Sequence, residues 1–289
     1  MARFDWYQAT VSAEVPELFA ALPVLADGAP EWSDMKRAPQ GYGFGRRLMD
    51  TEGQVAQIWW GGSHELPHVV FTGETAQAGA ELLRSDFKSH RVSRVDVCTD
   101  YAEPGAYDRL QALALDVARE RRIKVGTAGD HLVTMEGRTL YLGSTASHTR
   151  LRLYDKAAEL RVKFDKDLHR LLTVPPELAR LECQVRPQTP EAKAAAAVAD
   201  PVALMGSAAW MRDLVQRVDG LSLAPFQAGR AWRQSDDDRA YVAFLAQYGG
   251  VLGRLCESLG SWDCVGLQIG HDLAERKAAE RKAGAWRRR

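Results

Sequence analysis

Tyr154 closes the segment TLYLGSTASHTRLRLYDK (residues 139–156), where Arg150 and Arg152 precede it and Lys156 follows it. A free phenol ionises only near pH ~10, so tyrosine is a weak nucleophile at neutral pH. Neighbouring Arg152 and Lys156, or a divalent cation, favour the phenolate and neutralise a phosphate approaching it. Carboxylates come from two other stretches: Asp96 and Asp100 in RVSRVDVCTD (91–100), and Glu182 in ARLECQVR (179–186). Two or three carboxylates facing one point suit Mg²⁺ or Mn²⁺, which prefer hard oxygen ligands and polarise a phosphodiester. The combination suits attack on a nucleic-acid backbone.

All three stretches alternate with period two, as half-buried strands do. Leu151 and Leu153 oppose Arg150, Arg152 and Tyr154; Val95, Val97 and Thr99 oppose Arg94, Asp96, Cys98 and Asp100; Leu181, Cys183 and Val185 oppose Arg180, Glu182, Gln184 and Arg186. In one antiparallel sheet the apolar faces would bury against helices and the charged faces would share a surface. Periodicity alone leaves a second reading open. Charged strand faces are commonly solvated or ion-paired, Asp96 with Arg94 and Glu182 with Arg180, and Tyr154 then is an ordinary strand aromatic.

The 289 residues suffice for one large domain or two ordinary ones. With 38 Lys+Arg against 38 Asp+Glu, net charge does not announce a polyanion binder, so any such site must come from uneven distribution. No apolar run is long enough to span a membrane and the opening residues do not read as a secretory signal, which makes the cytoplasm the expected location. Cys98, Cys183, Cys256 and Cys264 lack CxxC spacing and read as reduced, packing cysteines.

Along the chain, a strand at 4–11 leads to a helix at 15–22, a turn-rich segment at 27–40, a hairpin at 42–60, a strand at 68–72 and a helix at 75–87. The acidic strand follows, then a helix at 107–122, short strands at 123–126, 131–135 and 139–142, the tyrosine strand, one helix at 157–172, and the Glu182 strand. After Pro187 the pattern turns helical, near 202–218, 238–259 and 264–283. The expected fold is α+β, an antiparallel sheet with helices packed on one face, then a helical C-terminal region. The boundary is placed near residue 190, giving regions 1–190 and 191–289.

The succession RVSRVDVCTDY, TLYLGSTASHTRLRLYDKAAEL, ARLECQVR resembles the Rep_trans replication initiation factors of rolling-circle plasmids and filamentous phages, with related conjugative relaxases. The matching positions are Arg94, Asp96 and Asp100; Tyr141, Gly143 and Ser144 leading to Arg152, Tyr154, Asp155 and Lys156; and Arg180 with Glu182. The resemblance covers roughly residues 4–187 and extends to FDWYQATV and to Gly73. It implies that Tyr154 nicks one DNA strand and becomes joined to the 5′ phosphate, leaving a free 3′ hydroxyl, with Arg152 and Lys156 steadying the phosphate. It also implies that Asp96 and Glu182, with Asp100, hold Mg²⁺ or Mn²⁺.

The expected partner is origin DNA, single-stranded or as an extruded hairpin, with a host helicase and a second copy of the chain as further candidates and no membrane. Arg94, Arg150 and Arg180 are expected on the DNA, as are Arg281, Lys282 and Arg287, Arg288 and Arg289 of the basic tail, which reads equally well as a solvated helix end. The histidine-hydrophobe-histidine motif of the larger group of nicking enzymes is absent; His64 and His68 read as loop residues. A DNA-binding protein that keeps the fold without nicking is the alternative of a different class.

Overall fold

The computed structural model describes residues 1–229 and 236–286, with the side chains of 236–239 and 280–286 outside the described set. The chain forms two compact units, Met1–Arg230 and Ala231–Arg289. In the first, the strands are β1 (Arg3–Val11), β2 (Glu31–Asp34), β3 (Phe44–Asp50), β4 (Gly53–Trp60), β5 (His68–Thr72), β6 (His90–Tyr101), β7 (Val125–Ala128), β8 (Thr139–Leu142), β9 (Thr149–Asp155) and β10 (Ala179–Val185). The helices are α1 (Val15–Ala21), α2 (Thr75–Asp86), α3 (Ala106–Arg121), α4 (Lys156–Lys163), α5 (Leu168–Leu171), α6 (Pro190–Val198), α7 (Pro201–Leu204) and α8 (Ala209–Asp219). In the second unit α9 (Asp236–Leu259) and α10 (Trp262–Trp286) pack on each other across a turn at Gly260 and Ser261.

All ten strands join one sheet, in the order β2, β3, β4, β5, β1, β6, β10, β9, β8, β7, and every pairing is antiparallel. The α+β architecture read from the sequence is therefore the one observed. Alternation sorts the side chains as the period of a strand requires. Val95, Val97, Leu151, Leu153, Leu181 and Val185 are buried at 2% exposure or less and join the core that α2, α3, α6 and α8 complete. The opposite face carries the polar members of the same strands.

Local chemistry sets the junctions around these strands. Asp155 follows Tyr154 and accepts a hydrogen bond from Ala158 N at 2.9 Å, capping α4 so that the chain leaves the sheet directly after the tyrosine. Gly143, at φ +93°, turns the chain out of β8; a Cβ there would lie 3.1 Å from Thr149 O, so the close approach of the two strands needs glycine. Thr189 caps α6 through Ala192 N at 3.2 Å, with Pro190 at the first helical position.

Several expectations are corrected. The turn-rich segment contains an edge strand, β2, paired with β3. Residues 131–135 form no strand: the Asp130 carboxylate accepts from the backbone N–H groups of Leu132, Val133 and Thr134 and folds them into a compact turn. The single helix expected over 157–172 is two, because Asp167 starts a new turn by capping Arg170 N at 3.1 Å. Helices α6, α7 and α8 lie within the first compact unit.

Leu153 is fully buried between Arg152 and Tyr154 in sequence and points to the helical side. Leu153→Ala should cost about 2–5 kcal/mol of stability through lost burial and the cavity left behind, measured as a lowered urea midpoint.

Candidate active site

Strand register builds the polar face row by row. Across β6, β10 and β9, Asp100, Arg180 and Tyr154 form one row, Cys98, Glu182 and Arg152 the next, and Asp96, Gln184 and Arg150 the third. Tyr141 of β8 extends the second row, opposite Arg152. The sequence-predicted Tyr154, Arg152, Asp96, Asp100, Glu182, Arg94, Arg150 and Arg180 thus share one side of one sheet. Lys156, just beyond β9, reaches the same place, its Nζ 5.7 Å from the Tyr154 ring centre.

Arg180 is the most heavily engaged of these side chains. At 6% exposure, its Nε and Nη2 donate to the two oxygens of Asp100 at 2.6 and 2.9 Å, and its Nη1 donates to Asp5 at 2.6 Å. Arg3 adds a further 2.6 Å bond to Asp100. Burial alone would lower the Arg180 pKa; the bonds to Asp100 and the charge of Asp5 reverse this and raise it. Asp5 reaches Arg180 through a register shift between Phe4 and Trp6, which places an extra residue in β1.

These contacts change two expectations. Asp100 is bonded through its oxygens to two guanidinium groups, Arg180 and Arg3, whereas Asp96 is bonded to Arg94 alone, so Asp100 is the harder of the two to free for a metal, and Arg180 is buried within its own ion pairs rather than presented to DNA. The expected Glu182–Arg180 pair is replaced by a loose one: Glu182 lies 3.8 Å from Arg152. Asp96 does pair with Arg94, whose Nε donates to Oδ1 at 2.9 Å while its Nη2 contacts Oδ2.

Glu182 is consequently a buried carboxylate with little countercharge. Burial, then the negative charges of Asp96 and Asp5, push its pKa up to about 7. Burial likewise pushes Asp96 up against the pull of Arg94. Among the described residues no group of three or more His, Cys, Asp or Glu side chains is placed to hold a metal ion. The donor chemistry fits a smaller set, since Mg²⁺ is commonly held by one or two carboxylates with substrate phosphate and water completing its shell. Asp96 and Glu182 suit that arrangement.

Tyr154 is 3% exposed, and the Arg152 guanidinium lies 3.9 Å from its ring centre. Burial, followed by the charge of Glu182, raises its pKa. The resting phenol is therefore protonated at neutral pH. Lys156 is held by Glu159 at 2.5 Å.

Sequence reasoning missed Asp5, Arg3 and Trp6, whose ring lies 4.3 Å from the Arg94 guanidinium. Strict alternation in FDWYQATV gives no sign of the register shift that brings Asp5 into the site. His68 is the first residue of β5, as the strand expected at 68–72 requires and not in the loop, and it is 3% exposed, 3.0 Å from Thr10 Oγ1 and stacked on Trp59. Burial lowers its pKa to about 4, so it is neutral. His64 stays in the loop, stacked on Tyr42. Arg287, Arg288 and Arg289 lie outside the described residues, as do the side chains of Arg281 and Lys282.

The raised pKa of Glu182 has a signed consequence. A carboxyl whose folded pKa exceeds its unfolded value of ~4.3 contributes stability that is fully present below ~4.3 and lost as pH rises through about 7. In metal-free protein, Glu182→Gln should therefore stabilise by on the order of 2–3 kcal/mol at pH 8 relative to its effect at pH 4, read from urea melts in EDTA.

No family model matches the chain, and no curated protein does. Among solved structures it is similar to the rolling circle replication initiator protein from Geobacillus stearothermophilus, with 18% identity and a TM-score of 0.49 over 85% of this chain and 95% of that one.

Proposed function

We propose that this protein is a replication initiator that nicks and rejoins one DNA strand through Tyr154. The observation that carries this reading is the convergence of Tyr154, Asp96 and Glu182 on one sheet face, with Arg152 against both the tyrosine ring and Glu182. The Tyr154 oxygen attacks the scissile phosphorus and loses its proton; the 3′ oxygen leaves as a hydroxyl, and a 5′-phosphotyrosyl ester remains. Attack of a 3′ hydroxyl on that ester reverses the step and rejoins a strand. The ester conserves the bond energy, so no other cofactor is required for joining.

The resting electrostatics say what activation must accomplish. Burial and Glu182 hold the phenol protonated, so ionisation requires added positive charge near the ring. Arg152, stacked on the ring, would steady both the phenolate and the pentavalent phosphorus, with Lys156 behind it. Asp96 and Glu182 would hold Mg²⁺ or Mn²⁺, which when bound polarises the phosphodiester and offsets the two carboxylate charges. Asp96 would exchange one of its Arg94 contacts for that role. Arg180 and Asp100 position strands β10 and β6, and so the carboxylates, without touching the substrate.

The burial of Tyr154 favours a second reading, a DNA-binding protein that keeps this face without nicking, and the two separate in one experiment. Incubated with Mn²⁺ and single-stranded DNA from the neighbourhood of its own gene, the protein should give a covalent adduct that survives denaturing electrophoresis. Tyr154→Phe should lose the adduct completely while still binding the DNA, and EDTA should abolish it in the unaltered protein. An adduct of equal yield in Tyr154→Phe overturns the assignment of the nucleophile. Binding with no adduct under any condition selects the second reading.

A further inference from the structure

At the end of the polar face remote from Tyr154, three guanidinium groups gather around one carboxylate. Val185 pairs with Val95 on one side and with Thr149 on the other, and Arg186 N donates to His148 O at 2.8 Å, so Arg186 continues the ladder between Arg94 and His148. Arg150 stands one row nearer the tyrosine, opposite Gln184. The carboxylate is Asp96, and both of its oxygens are taken by Arg94.

Arg150 and Arg186 have no carboxylate partner among the described residues. Arg186 Nη1 donates to Thr145 O at 2.8 Å, which aims the group without neutralising it. Arg150 lies against the Tyr141 ring, 4.2 Å from its centre, and its Nε is buried without a hydrogen-bond partner. Burial, then the like charge of Arg94, draws the Arg186 pKa below its ordinary value against the opposing pull of Asp96, with a smaller share from Arg150. Fixed, mutually repelling guanidinium groups with an unsatisfied N–H are the arrangement that a bound oxyanion relieves. Their planar donor forks match phosphate oxygens better than a point charge would.

We propose that Arg150 and Arg186, with Arg94 beside them, form a second backbone-phosphate site that anchors the single strand away from the cleavage point. Arg150 lies four positions before Tyr154 in β9, a span of ~13 Å at ~3.3 Å per residue. The phosphate held here is therefore not the scissile one. Between the two positions lies the row of Glu182, whose carboxylate repels a phosphate while it carries no cation, so the strand is drawn to the arginine end before the tyrosine end is competent. The inference rests on the proposed function for the identity of the strand, but the anchoring itself needs no nicking.

Binding of a labelled single-stranded oligonucleotide to the full chain in EDTA, followed by anisotropy across a salt series, tests the site apart from the chemistry. Arg150→Ala/Arg186→Ala should weaken binding at least tenfold and reduce the slope of log K against log salt by about 0.7, the value for one phosphate released from a single strand. Arg119→Ala, at an exposed position of α3, should leave both unchanged. A methylphosphonate walked along the oligonucleotide should find one position where unaltered protein falls to the level of the double variant and the double variant is indifferent. Urea melts of both variants establish that they fold. An unchanged slope in a folded double variant, no methylphosphonate position that removes the difference, or no binding by the unaltered protein overturns the site. A reduced slope with no covalent adduct in Mn²⁺ leaves the site standing and removes the nicking assignment instead.

Discussion

A buried guanidinium, that of Arg180, ties the centre of the molecule together. It bridges β10 to β6 through Asp100 and reaches β1 through Asp5, so three strands meet at one side chain. A buried ion pair often does little for net stability, because desolvation offsets the Coulomb attraction. Removing one partner is far more costly than the pair is worth, since it strands the other charges in a poor solvent. The arrangement therefore acts chiefly on registry: other pairings of these strands would leave Arg180, Asp100 or Asp5 uncompensated, and the row that includes Tyr154 is set with them.

Once Arg180 consumes Asp100 and Asp5, the remaining charges do not balance locally. Glu182 and Asp96 are left with only Arg94 and a loosely paired Arg152, while Arg150 and Arg186 form no ion pair among the described residues. A sheet face selected for stability alone would pair these groups or replace them with neutral ones. Keeping carboxylates short of cations beside guanidinium groups short of anions is an arrangement that a phosphodiester strand and a divalent ion would satisfy together. Perturbed groups of this kind mark candidate functional sites, although ion-pair networks also shift pKa values.

The helical side explains how such a face is tolerated. The same strands that carry the charges present Val95, Val97, Leu151, Leu153, Leu181 and Val185 to α2, α3, α6 and α8, and that burial supplies the favourable term against which polar strain is set. Helices α6 to α8 extend this cover, which is why they belong to the sheet unit although their sequence is wholly helical in character. The second unit, α9 and α10, is a helical pair whose exposed Tyr241, Phe244, Tyr248 and Trp262 contrast with the buried aromatics of the first.

Period-two alternation in three short segments separates the apolar side of each strand from its charged side, because side-chain direction along a strand is a local property, while the joining of the three strands in one sheet is a tertiary fact. The caps at Asp155 and Thr189, each bonding a backbone N–H three residues on, are local in the same sense. What no local rule contains is which charge finds which. Asp5 enters the site only through a shift in strand register, Asp100 is the harder carboxylate to free for a metal only because Arg180 and Arg3 both bond it, and Arg186 joins Arg94 and Arg150 only because β10 lies between β6 and β9. Sequence alone therefore determined the faces, while tertiary structure decided the partners, since pairing energies depend on distances that alternation does not specify.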